Sequence, residues 1–205
     1  MIHPIITAIR RLYPSRPVVS TAEAGRLYHA VALLARAPGF YKAPYQVPDT
    51  LDGRFDLLTV LLGLLCLRFS TLPEGQGQKT SQQLFDIMFH QFELNLREAG
   101  IGDLSVPKQM RRMIQSFYGR MANYTELLNT GQSHAELAEA LNRNIYGGTG
   151  LAPAQALSQW VINVWQPLLL NFNSLYDISI LTDNIQVLCE DLKSNWSGPH
   201  DNLAA

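Results

Sequence analysis

Leu57 to Leu67 reads LLTVLLGLLCL, eleven residues without a charge, bounded by Asp56 and Arg68. A helix this apolar has no polar face to offer water, so other elements must enclose it. It is also too short to cross a bilayer, which takes about 20 apolar residues. The run therefore predicts a central helix. Asp49 or Thr50, after Pro48, can cap its start, and the pattern carries it to about Phe69. The rest of the chain has to supply its shell.

That shell reads as helices. Ala24, Leu27, Tyr28, Val31, Leu34 and Ala35 recur at helical spacing after a Ser20 or Thr21 cap with Glu23 in the first turn. Leu84, Ile87, Met88, Phe92 and Leu96 mark another helix from near Ser81, stopped at Gly100. The next begins after Ser105 with Pro107 in its first turn and runs to about Asn129. Ser133 and Glu136 form a capping box for a helix to about Asn144. One more starts near Pro153, and Pro167 should kink or end it. DISILTDNIQVLCEDLKSNW reads as a last helix, with a short strand as the alternative. Apolar residues make up 47% of the chain, enough for a sizeable core. The expected fold is all-α: a single compact helical domain of about seven helices over residues 18–196. Residues 197–205 read as a disordered tail. Residues 1–17 form a basic amphipathic segment, with Ile2, Ile5, Ile6, Ile9 and Leu12 beside Arg10 and Arg11. Such a segment either packs on its own domain or lies in a membrane interface.

No chemical signature stands out. The five histidines (His3, His29, His90, His134, His200) show no metal-ligand spacing. The loop Gly147–Gly150, GGTG, lacks the strand before it and the Gly-Lys-Ser/Thr ending of a phosphate loop. Asp49, Asp52 and Asp56 cluster at a helix start, where carboxylates complement the helix dipole without any catalysis. Cys66 and Cys189 sit among apolar residues and read as buried thiols. We therefore expect no enzyme, no cofactor and no metal site. No signal peptide is visible after Met1.

Charge is unevenly placed. The net charge is −1, with a basic excess over residues 97–120 and an acidic one over residues 121–205. A near-neutral chain with a basic middle and an acidic end can present two faces to partners. The basic middle is LREAGIGDLSVPKQMRRMIQSFYGRMANY. On a helical wheel, Met110, Met113, Ile114, Phe117, Tyr118, Met121 and Tyr124 share one side. Lys108, Arg111, Arg112 and Gln115 share the other, and Arg120 flanks the apolar stripe. The cations have no matching acids on their face. Four of the five methionines, Met88, Met110, Met113 and Met121, lie in this helix and the one before it. Thioether side chains adapt to variable apolar surfaces.

Four blocks in order, RLYHAVALLARAPGFY, VPDTLDGRFDLL, the stretch just quoted and ALNRNIYGG, resemble the ubiquinol–cytochrome c chaperone family, over roughly Arg26 to Trp165. Where that pattern places a histidine after Gly53-Arg54-Phe55, this helix continues as Leu61-Leu62. The resemblance implies a helical, non-enzymatic assembly chaperone. It would bind newly made cytochrome b and aid assembly of the ubiquinol–cytochrome c reductase complex. It also implies contact with the ribosome surface and a peripheral place at the inner membrane, on the cytoplasmic side in a bacterium and in the mitochondrion of a eukaryote. The absence of a transit-like extension favours the bacterial case. Candidate partner-binding residues are Lys108, Arg111 and Arg112 for anionic phosphate or lipid. Met113, Phe117 and Met121, with Met88 and Phe92, could line an apolar groove for the client, rimmed by Arg120. The alternative from another class is a small helical ligand-binding protein or enzyme, with an apolar pocket along Leu57–Leu67 and its mouth at Asp49–Arg54. Specific DNA recognition is not expected from a chain of this net charge.

Overall fold

The computed structural model describes residues 19–72, 76–129 and 134–194. The amphipathic segment over residues 1–17, the Ser133 cap and the tail over residues 197–205 lie outside the described residues. Among the described residues the secondary structure is helical throughout, with no strand. The alternative of a strand in the last segment is thereby set aside.

Helix α1 is Thr21–Ala35. The Ser20 side chain accepts from the Glu23 amide, and the Glu23 carboxylate accepts from the Ser20 amide. This satisfies two amide donors that a helix start otherwise leaves open. A short 3-10 turn, Pro38–Tyr41, follows. Helix α2, Leu51–Ser70, is the enclosed one: every residue from Phe55 to Cys66 is buried. It touches α1 and four of the elements introduced next. These are α3, Gln76–Glu98, α4, Val106–Asn129, α5, His134–Ile145, and the end of α6. The last helix, α7, is Ile178–Ser194 and packs along α1.

Helix α6 comprises Leu151–Trp160, a π-helical turn Val161–Trp165, and Gln166–Leu170. Pro167 therefore neither ends the helix nor stands in a regular α-helical ladder. In the widened turn the Gln166 amide donates to the Val161 carbonyl. The extra residue relieves the clash that the proline ring would make with the carbonyl four residues earlier. Trp165, fully buried, donates from Nε1 to the Leu61 carbonyl at 3.2 Å. Arg68 closes the far end. Its Nε donates to the Leu169 and Phe172 carbonyls at 3.1 and 3.0 Å, capping the α6 C-terminus from α2.

Helix α3 begins at Gln76, five residues before the position the sequence suggested. The Gly-Gln-Gly-Gln run hid its first turn, because glycine is a poor helix former. Gly77 is required there: a Cβ on it would lie 1.7 Å from the Phe69 carbonyl oxygen. At its other end, Gly100 with φ +78 gives the expected left-handed stop. The Gly100 and Ile101 amides bond back to the Arg97 and Leu96 carbonyls.

Candidate functional site

Helix α4 is held to the bundle by its C-terminal half. Phe117 is fully buried. Its ring meets Phe85 and Phe89 of α3 edge-on, with centroids at 4.9 and 5.7 Å, a favoured aromatic geometry. One turn on, the Met121 sulfur lies against Gly63 of α2. A Cβ on Gly63 would be 1.9 Å from it. Tyr124 is buried and its hydroxyl accepts from Asn144 of α5 at 2.9 Å. Burial pushes that phenol up to about 12.

Arg120 completes this attachment. It donates to the Asp56 carboxylate in α2 and lies 5.6 Å over the Phe55 ring. Asp56 is buried, and burial pushes its carboxyl up to about 7, opposed by the nearby Arg120 guanidinium and reinforced by Asp52. Of the three acids at the start of α2, Asp56 thus has a tertiary partner rather than a role toward the helix dipole. Asp49 pairs with Arg54 at 2.6 Å, and the cap is Thr50, whose hydroxyl accepts from the Gly53 amide at 3.1 Å. Of the two residues expected to cap, Asp49 is the one that does not. Its carboxylate is already engaged by Arg54.

In the N-terminal half of α4 Val106 is buried and Met110 and Met113 are half-buried against the core, while the outer face is open. Lys108, Arg111 and Arg112 are all exposed. None has a carboxylate partner among the described residues; Arg111 donates only to the Pro107 carbonyl at 3.3 Å. Arg111 and Tyr118 stand where the two faces of the wheel meet: they are seven residues apart, so they lie on one line of α4, separated by about 10 Å along its axis.

That line leads into a groove of about 290 Å³ between α2, α3 and α4. Phe117 and Met121 line it with Phe85, Tyr118, Gly63 and Leu67. Tyr118 is 54% exposed at its edge. The seven candidate side chains therefore separate into three groups. Phe117 and Met121 meet in the groove; Lys108, Arg111 and Arg112 form a basic edge nearer the start of the same helix, and of these only Arg111 shares a line with a groove residue. Arg120 faces inward to Asp56, and Met113, half-buried against the core, is not part of the lining. Met88 and Phe92 are sealed in the core. Sequence reasoning missed Phe85, Leu67 and Gly63 as groove residues. A glycine inside an apolar helix is itself a sign of close approach by a neighbour. The pair Phe85 and Phe89, four apart, was legible as a helical stripe.

The Asp49–Arg54 block has a cleft of its own, about 240 Å³, between Tyr28, Arg36, Leu51, Arg54 and Leu58. Both cysteines are free and buried, as expected. Among the described residues no group of His, Cys, Asp and Glu is placed to hold a metal.

The family model described as Ubiquinol-cytochrome C chaperone matches residues 44–169. The chain belongs to that family. The match takes in α2 to α5 and nearly all of α6, and so the groove and the basic edge of α4. A crystal structure of the Cbp3 homolog from Brucella abortus is similar, at 31% identity and a TM-score of 0.67. The similarity covers 87% of this chain and 93% of that one. Among curated proteins none matches. No helix among the described residues is long and apolar enough to cross a membrane.

Proposed function

We propose that the protein is a non-enzymatic chaperone that holds newly made cytochrome b during assembly of the ubiquinol–cytochrome c reductase complex. The observation that carries this reading is the apolar groove on a helix that also bears a basic edge with no carboxylate partner among the described residues. Family membership supports a chaperone; the identity of the client is the inference. A cytochrome b segment outside the bilayer exposes apolar surface, and covering it yields roughly 25 cal/mol per Å². A groove of about 290 Å³ is at the lower limit for binding pockets. It would grip anchor side chains of the client rather than a whole transmembrane helix, as a few buried anchors dominate other interfaces.

Lys108, Arg111 and Arg112 then supply a contact with phosphate, on the ribosome surface or at the headgroups of the inner membrane, where the client is made and inserted. Such contacts position without reading sequence. The setting is the cytoplasmic side of a bacterial inner membrane, or the mitochondrion in a eukaryote. The test is to translate cytochrome b in vitro without membranes, with and without the purified chain. The chain is expected to keep cytochrome b in the soluble fraction. Solubility no better than with an unrelated helical protein of equal charge would overturn the reading.

A further inference from the structure

The acidic end of the chain has a place in the fold that client holding does not use. Helix α7 buries Ile178, Leu181, Ile185 and Cys189 on one side. On the opposite side Ile180 and Val187 are 57% and 60% exposed. They are seven residues apart, hence stacked on one line of the helix, where a solvent face would carry polar residues. Asp183 and Asp191 stand beside that line, exposed, and neither is ion-paired among the described residues. Glu190, by contrast, is paired with Lys193 at 2.7 Å.

Beside that face, past Asp191, lies a cavity of about 380 Å³, lined among others by Tyr45, Trp160, Val164, Leu188, Asp191 and Leu192. Aromatic and aliphatic side chains thus border a single carboxylate. Helix α7 lies wholly outside residues 44–169, the span matched by the family model.

We propose that this face of α7 is a second docking surface, for an amphipathic helix of another protein whose apolar stripe is flanked by Lys or Arg. The apolar stripe would cover Ile180 and Val187 and place one large side chain in the Tyr45–Trp160 cavity. Its cations would meet Asp183 and Asp191. Charge complementarity decides the class of occupant: a helix with acidic flanks is repelled, and so is a phosphate-bearing surface. It also sets this surface apart from the basic edge of α4, which selects anions.

The test uses two designed helical peptides with one leucine stripe, flanked by lysines in one and glutamates in the other, titrated against the full chain. The lysine peptide is expected to bind. Its affinity should fall about tenfold or more in the double variant Asp183→Lys, Asp191→Lys, and also in Val187→Ser. Val187→Ser should leave the solubilisation of cytochrome b intact, which separates this surface from the client groove. Equal binding of the glutamate peptide would overturn the proposal, as would lysine-peptide binding unchanged in Val187→Ser. Self-association of the chain that disappears in Val187→Ser would also overturn it, by showing that a second copy occupies the face.

Discussion

Arg120 reaches from α4 to the buried carboxylate of Asp56 in α2, 64 residues earlier in the chain. The pair joins the helix that carries the basic edge to the helix at the centre of the bundle. Burial raises the Asp56 carboxyl to about 7, and Arg120 works against that rise. The ordinary value in an unfolded chain is about 3.9. A carboxyl raised on folding lends stability that is full below the unfolded value and is lost as pH climbs through the folded one. Arg120→Met removes the opposing cation, so the folded value climbs further and the loss deepens. The variant should lose about 3–5 kcal/mol at pH 8, where folding leaves Asp56 either ionised without a partner or obliged to take up a proton. It should lose clearly less at pH 5, where Asp56 holds its proton. Urea unfolding at the two pH values checks this; an equal loss at both would show that the pair does not govern Asp56. Asp56→Asn should flatten the dependence between pH 4 and 7.

Gly63 and Gly77 both face close neighbours, but the neighbours differ. At Gly63 the obstacle is the Met121 thioether, a flexible side chain that can swing outward; at Gly77 it is the Phe69 carbonyl, part of the backbone. Gly63→Ala should change stability by no more than about 1 kcal/mol, since alanine is the better helix former. It should still impair client holding by pushing Met121 into the groove. Gly77→Ala should cost about 1–3 kcal/mol or more, because the backbone must give way. Melting curves of both variants, with the solubilisation assay on the first, distinguish the two outcomes. A large stability loss in Gly63→Ala would mean that Met121 is fixed.

What was legible in the sequence was local. The enclosed helix followed from Leu57–Leu67, the α1 cap from Ser20 and Glu23, and the end of α3 from Gly100. The bounds of α4 followed from Ser105, Pro107 and the apolar stripe. Each of these rests on residues within a turn or two of one another. What stayed hidden was tertiary. Asp56 resembled one more acid at a helix start until its partner in α4 was visible. Arg120 resembled a rim cation for the same reason. The wheel put Met113, Phe117 and Met121 on one side of α4, and so they are. But the wheel is blind to which neighbours meet that side: Phe117 and Met121 border the groove with Tyr118, Phe85 and Leu67, and Met113 does not. Pro167 marked a break in the ladder correctly; that a π turn would absorb it depends on Trp165 being anchored to α2.

At the start of α2 the hydroxyl of Thr50 caps and the carboxylate of Asp49 does not. Thr50→Ala should therefore cost about 1 kcal/mol. Asp49→Ala breaks only an exposed pair with Arg54 and should cost a few tenths, within the range for surface ion pairs of about 0–1 kcal/mol. Thermal unfolding of the two variants side by side settles the order. A larger loss in Asp49→Ala would return the cap to Asp49.

Among the described residues Lys108, Arg111 and Arg112 have no acid to lose. Reversing all three to Glu should leave helicity unchanged and move stability by no more than about 0.5 kcal/mol per site. Co-sedimentation with ribosomes or anionic vesicles should fall sharply, and binding by the parent chain should itself decline steeply as salt rises. Binding that ignores salt, or survives the reversal, would remove phosphate as the ligand of this edge.

The occupant of the groove can be read directly from a photo-crosslinking amino acid placed at Tyr118, which is 54% exposed at its edge. Phe117 is unsuitable because it is fully buried, and replacing such a residue costs about 3–5 kcal/mol. In cells making cytochrome b, irradiation should give an adduct between the chain and cytochrome b, and Met121→Asp should weaken it. Adducts confined to the chain itself, with cytochrome b present and the variant folded, would contradict the client-holding role.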